Sequence, residues 1–212
     1  KGYEEQALFQ DLGFGIQRGD RVAVVGPNGC GKTTLLKVLR EEIVPDAGRV
    51  VWKQGDAYVD YNAVLEDLDA DDTVTHTVNV SGMGFFAPRK QVNRFLRLLQ
   101  FSEMDLNQKI GTLSGGQRAR VALALSLLSG AQVVILDEPT NHLDMTSTQV
   151  MERALAYFPG AIVVVSHDRF FIDKVANRLL VFEGGGQVSI CNGNWTIWEA
   201  SKEDEADETV PP

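Results

Sequence analysis

The segment RVAVVGPNGCGKTTLLKVLR, Arg21 to Arg40, changes character twice along its length. Arg21 to Gly26 is a short, apolar, β-branched run ending in glycine, which reads as a strand, and KTTLLKVLR reads as a helical pattern. Between them GPNGCGKT, Gly26 to Thr33, matches G-x-x-x-x-G-K-[ST] in the context this pattern requires, a strand before and a helix after. The glycines let backbone N–H groups curl around phosphate oxygens, and the helix N-terminus adds partial positive charge. Lys32 is suited to neutralise β/γ oxygens and the Thr33 hydroxyl to ligate Mg²⁺. Gly26, Pro27, Asn28, Gly29, Cys30, Gly31, Lys32, Thr33 and Thr34 therefore form the candidate phosphate-binding segment.

Working outward, three further strands are expected at Gly48 to Trp52, Gln132 to Asp137 and Ala161 to Ser166. The last two are continuous Val/Ile runs, as in strands buried on both faces of a parallel sheet. Helices are expected at Pro88 to Gln100, Gly115 to Ser129, Thr146 to Tyr157 and Arg169 to Asn177, and the alternation implies an α/β layered core. The stretch from 73 to 129 reads as a helical subdomain inserted between core segments 1–72 and 130–200. Arg178 to Ile190 reads as a hairpin turning through Gly184 to Gly186. From Ser201 the chain is dominated by Glu203, Asp204, Glu205, Asp207 and Glu208, and 201–212 is expected to be a disordered acidic tail.

Two of these strands end in chemistry. VVILDE, Val133 to Glu138, places Asp137 and Glu138 at a strand terminus, the first suited to the Mg²⁺ shell and the second to activating a water as general base. VVVSHDRFF, Val163 to Phe171, puts His167 after another buried strand, towards the crevice where ligands collect in open α/β sheets. Its ring could hydrogen-bond a γ-phosphate or the attacking water. LSGGQ, Leu113 to Gln117, is a second anion cradle. Ser114 is a good N-cap, Gly115 and Gly116 leave backbone N–H groups bare, and apolar residues from Val121 to Leu128 anchor the helix. It is expected to be too remote to reach a nucleotide held by Lys32.

The bulk composition is that of an ordinary globular chain: 212 residues, 44% hydrophobic and 23% charged. No apolar run approaches the roughly 20 residues needed to span a bilayer, and no signal peptide is read, so no direct membrane insertion and a cytoplasmic location are expected. The two cysteines, Cys30 and Cys191, suggest no disulfide framework. The net charge of −9 argues against a surface wholly devoted to nucleic acid. Between Phe85 and Ala124, however, Arg89, Lys90, Arg94, Arg97, Lys109, Arg118 and Arg120 face only Glu103 and Asp105. That excess fits binding of RNA or an acidic protein, and equally a solvated helix surface. Lys1 in place of an initiating methionine suggests a domain of a longer polypeptide.

GPNGCGKT, LSGGQ, VVILDEPTNHLD and VVVSHDRFF, in that order, make the chain resemble the ATP-binding cassette (ABC) family over nearly its whole length. The resemblance implies a P-loop ATPase core with an inserted signature subdomain, ATP and Mg²⁺ as cofactors, and a head-to-tail dimer. In that dimer Ser114, Gly115, Gly116 and Gln117 close over the partner's ATP. It also implies that Tyr3 stacks on adenine and that Asp144 lies in the loop communicating between sites. One position departs from the pattern. Where the family carries a glutamine touching Mg²⁺ and the attacking water, the stretch VDYNA has Asn62 and Ala63, and Gln54 falls too early. Slow or poorly coupled hydrolysis is the expectation from that departure.

LDEPTNHLDMTS and the run through CNGNWTIWEA, with Trp195 and Trp198, resemble the ABC-F branch, whose members carry tandem cassettes and no membrane segment and often act on ribosomes. The absence of an arm-like insertion between Val74 and Leu113 points to the second cassette of a pair. The expected partner is a second cassette, in the same parent chain or as a homodimer, with the ribosome or RNA as a further candidate. The alternatives are the ATPase subunit of a transporter whose membrane part is another chain, and an ATP-binding module with impaired hydrolysis.

Overall fold

The computed structural model describes residues 1–3, 6–53, 55, 57–80 and 89–208. Its centre is a six-stranded sheet. In chain order the elements begin with a short antiparallel pair, β1 (Gly2–Tyr3) and β2 (Gln6–Ala7), followed by β3 (Arg21–Val25) and α1 (Lys32–Leu39). Next come β4 (Tyr58–Asp60) and α2 (Tyr61–Glu66), then a helical stretch with α3 (Val74–Val80), α4 (Arg89–Leu98), α5 (Glu103–Leu106) and α6 (Gly115–Leu128). The chain returns through β5 (Val133–Asp137), α7 (Met145–Tyr157), β6 (Ala161–Val165) and α8 (Arg169–Val175). It closes with β7 (Arg178–Gly184), β8 (Gln187–Asn192) and α9 (Trp195–Glu208).

Spatially the strands run β4-β5-β6-β3-β7-β8, all neighbours parallel except the β7–β8 hairpin. The continuous apolar runs are explained by the two cores they serve. Ala23, Val134, Leu136, Ile162 and Val164 enter a large core shared with α6, α7 and α8. Their neighbours Val22, Val24, Ile135, Val163 and Val165 enter a second core built with Leu35, Leu36 and Leu39 of α1. Strand alternation thus sends one apolar set to each face, which only a sheet covered on both sides tolerates. Helix α6 runs through the large core, with every residue from Val121 to Leu127 buried. The hydroxyl of its buried Ser126 donates back to the Ala122 carbonyl at 2.8 Å.

Two expectations fail. Gly48 to Trp52 is not a strand. Val50 and Trp52 do pack against the second core while Val51 is 72% exposed, but this alternation joins no ladder. The sheet position is taken instead by β4, whose Tyr58 stacks on Trp52 with ring centroids 5.5 Å apart. The acidic stretch expected to be disordered is helical from Ser201 to Glu208 as the end of α9. That helix is started by partly buried Trp195 and Trp198 packed on the large core, and by Thr196, which bonds Asp173 of α8 through both its N–H (2.8 Å) and its hydroxyl (2.7 Å). Residues 209–212 lie outside those described. Among the described residues, no helix is long and apolar enough to cross a membrane.

Candidate nucleotide site

The site forms where β3, β5 and β6 end side by side. After Val25 the chain turns at Gly26 (φ +147°), where an added Cβ would fall 2.7 Å from Phe182 Cβ and 2.8 Å from the Phe182 carbonyl oxygen. Only glycine lets the loop pass so close to β7. The loop then opens α1 immediately after Gly31, leaving the first N–H groups of the helix at the cleft. Lys32 is only 7% exposed, and its ammonium donates to the carbonyl oxygens of Gly26 and Pro27, both at 2.8 Å.

Thr33, in the first turn of α1, lines the same cleft as Asp137 at the end of β5. Burial holds the Asp137 carboxyl above the usual carboxylate range, opposed by Thr33 and then by Arg40. Glu138 is likewise raised by burial, opposed by His167. Its Oε1 is buried, lies 3.4 Å from Nε2 of His167 and makes no hydrogen bond; its Oε2 accepts the His167 backbone N–H at 3.4 Å. An orphaned carboxylate oxygen inside a polar cleft fits an attacking water, and a hydroxyl and a carboxylate lining one cleft are the hard oxygen donors that suit Mg²⁺.

Asn28, Gly29, Gly31, Lys32, Thr33 and Thr34 share one cleft of about 450 Å³ with Asp137, Glu138 and His167. Gly26 and Pro27 line a neighbouring cavity that shares His167 with this cleft, and Cys30 is half-buried in the loop. Ser114, Gly115, Gly116 and Gln117 do not line this cleft. Ser114 caps α6 by accepting the Gln117 N–H at 3.2 Å, while Gln117 Oε1 accepts the Ser114 N–H at 2.8 Å. Asp144 also stands outside the cleft, capping α7 through the Ser147 N–H at 2.6 Å. Tyr3 belongs to β1, but its side chain falls outside the described residues, as does Gln54. Sequence reasoning missed Leu8, Asn141 and Val165 in the cleft wall. Asn141 lies inside the quoted PTNHLD run, whereas nothing local marks Leu8.

A parallel sheet whose glycine-rich loop and acidic strand end meet in this way defines a P-loop nucleotide-binding domain. The chain belongs to the ABC transporter family, which matches residues 9–141. It is 35% identical over 208 residues to the energy-dependent translational throttle protein EttA of Escherichia coli (strain K12), covering 95% of this chain and 37% of that protein. It is 36% identical over 186 residues to ABC transporter F family member 5 of Arabidopsis thaliana, covering 87% of this chain and 27% of that one. The chain spans well under half the length of either relative. Among solved structures, cbiO1 from Clostridium perfringens, part of the ABC transporter complex cbiONQ, has the same fold. The TM-score is 0.74 at 24% identity, over 96% of this chain and 89% of that one.

Proposed function

We propose that this chain is one cassette of an ABC-F-type ATPase that hydrolyses ATP with Mg²⁺ and acts as an ATP-driven dimerisation switch on the ribosome. The observation that carries the reading is the single cleft joining Lys32 and Thr33 to Asp137, Glu138 and His167, with the signature turn at Ser114 outside it. In this reading Lys32 exchanges the Gly26 and Pro27 carbonyls for phosphate oxygens, and the loop N–H groups orient the triphosphate. Thr33 and Asp137 would hold Mg²⁺, which supplies charge neutralisation at the phosphates. Glu138 takes the proton of the attacking water at its orphaned Oε1, and His167 Nε2, beside it, orients the γ-phosphate. Most of the rate comes from positioning and charge stabilisation. Tyr3 would stack on the adenine, and the helical segment 73–129 would present Ser114, Gly115, Gly116 and Gln117 to the ATP of a second cassette, with Asp144 linking the two sites. The resemblance to EttA, a translational throttle protein by name, supports the ribosome as the assembly that is switched.

Glu138→Gln should retain ATP binding and lower hydrolysis by roughly 10² to 10⁴-fold. Hydrolysis by that variant at the parent rate would remove Glu138 as the base. One observation favours the second reading, an ATP-binding module with slow turnover. Ala63 is exposed on α2, and the carboxamide of its neighbour Asn62 is engaged by the Asp137 backbone. The same assay on the parent chain separates the two, since the second reading requires tight nucleotide binding with almost no phosphate release.

A further inference from the structure

Strand β4 stops at Asp60, which is in register with Ile135, so the β4–β5 ladder ends before Asp137. The N–H and C=O of one extended residue point to the same side, and beyond the end of β4 those of Asp137 would lack a partner there. The Asn62 carboxamide supplies both. Its Nδ2 donates to the Asp137 carbonyl oxygen at 2.8 Å, and its Oδ1 accepts the Asp137 N–H at 3.0 Å. The side chain thus stands in for the next peptide group of β4. On the other side Asp137 is in register with Val165 of β6, whose carbonyl accepts the Glu138 N–H at 2.9 Å.

Asn62 is itself held in place. Asp60 Oδ1 accepts its backbone N–H at 2.9 Å, and Asp60 Oδ2 pairs with the guanidinium of Arg40, just past the end of α1. The Arg40 carbonyl in turn accepts the Tyr58 hydroxyl at 2.8 Å. Tyr61, between Asp60 and Asn62, is 1% exposed in the large core, and α2 packs against α6, the helix opened by Ser114. One short segment therefore joins the phosphate-loop helix, the acidic strand end and the signature helix.

We infer that Asn62 is a positioning residue for the cation end of the nucleotide site: its two-point tie to the Asp137 peptide fixes the strand end whose carboxylate shares the cleft with Thr33. The inference rests on the ATP-binding reading above. Glutamine would carry the same amide one methylene further, and the exposed Ala63 has no polar group to offer.

The test titrates Mn²⁺, read by electron paramagnetic resonance, into the whole chain with a non-hydrolysable ATP analogue, for the parent and Asn62→Ala. Binding of the analogue in EDTA and thermal melting are measured alongside. Asn62→Ala should lower Mn²⁺ affinity about tenfold or more, as loss of an outer-shell hydrogen bond does, while metal-free analogue binding and the cooperative melt persist. Unchanged Mn²⁺ affinity overturns the inference. So does an equal loss of metal-free analogue binding, which assigns Asn62 to the cleft as a whole. If the alanine variant does not fold, Asn62→Gln decides by the same criteria. A parent chain that does not bind the analogue sinks the nucleotide-binding reading, and this inference with it.

Discussion

Glu138 combines two costs in one residue. Its backbone sits at φ +49°, a left-handed conformation that costs a non-glycine residue on the order of 1–3 kcal/mol and persists only when its surroundings impose it. Here they do, because its N–H is bound to Val165 and its carboxylate lies beside His167. Burial also raises its carboxyl above the usual range. A raised folded-state value means that the native chain keeps a proton which the unfolded chain has already released. The site is therefore least unfavourable below the unfolded value and costs stability as pH rises through the window above it. Glu138→Gln removes that titration and should melt above the parent at pH 7, by a margin that shrinks as the pH is lowered towards about 4. Melting curves across this range check the sign, and a margin that grows on acidification would contradict it. The stability given up at this residue is what the proposed role as an orphaned, partly desolvated base would require.

Between elements, the signature helix α6 packs closely on α7 at Gly116. A Cβ added at Gly116 of α6 would lie 2.6 Å from Ser147 Oγ and 3.4 Å from Ser147 Cβ, in the first turn of α7. Ser147 is 5% exposed and its N–H is held by Asp144, so it cannot retreat easily. At Gly115 the added atom would meet nothing within 4 Å. Gly116→Ala should thus cost about 1–3 kcal/mol, with most of it recovered in a Ser147→Ala background. Urea unfolding of the four chains measures this coupling, and additive costs would place the strain elsewhere. The repeated glycine in LSGGQ reads as an anion cradle, but the second glycine's packing role depends on a helix some thirty residues on and has no local signal. The same physics divides what could be read from what could not. VVILD and AIVVV announce themselves because a strand buried on two faces needs an unbroken apolar run. Gly48 to Trp52 shows a strand's alternation, yet ladder membership is a tertiary property and fell to the polar, aromatic YVD. Acidic composition reads as a disordered tail over 201–212, yet the tryptophans upstream anchor a helix that runs on to Glu208. The sequence flags Asn62 as a departure, while the bond that explains it joins residues 75 positions apart.

At the scale of the molecule, the exposed surface bears on the proposal that the cassette works in pairs. Phe170 is 86% exposed and Met145 78% exposed, and they lie in the first turns of α8 and α7, just after His167 and Asp144. Leaving large apolar side chains in water forgoes burial worth roughly 1.5–3 kcal/mol for each. Their positions beside the cleft histidine His167 and the helix-capping Asp144 are where, in the proposed pairing, a second cassette would cover them. With ATP and Mg²⁺, Glu138→Gln should therefore shift from monomer towards dimer as concentration rises in sedimentation velocity, because the bound nucleotide is not consumed. Adding Phe170→Glu should weaken that dimer about tenfold or more, since a charge replaces buried apolar area, without changing nucleotide affinity in the dilute monomer. Both chains dimerising equally would mean that pairing uses another face. A Glu138→Gln chain that binds ATP and stays monomeric at every concentration would contradict the proposal that this cassette pairs with a second copy of itself.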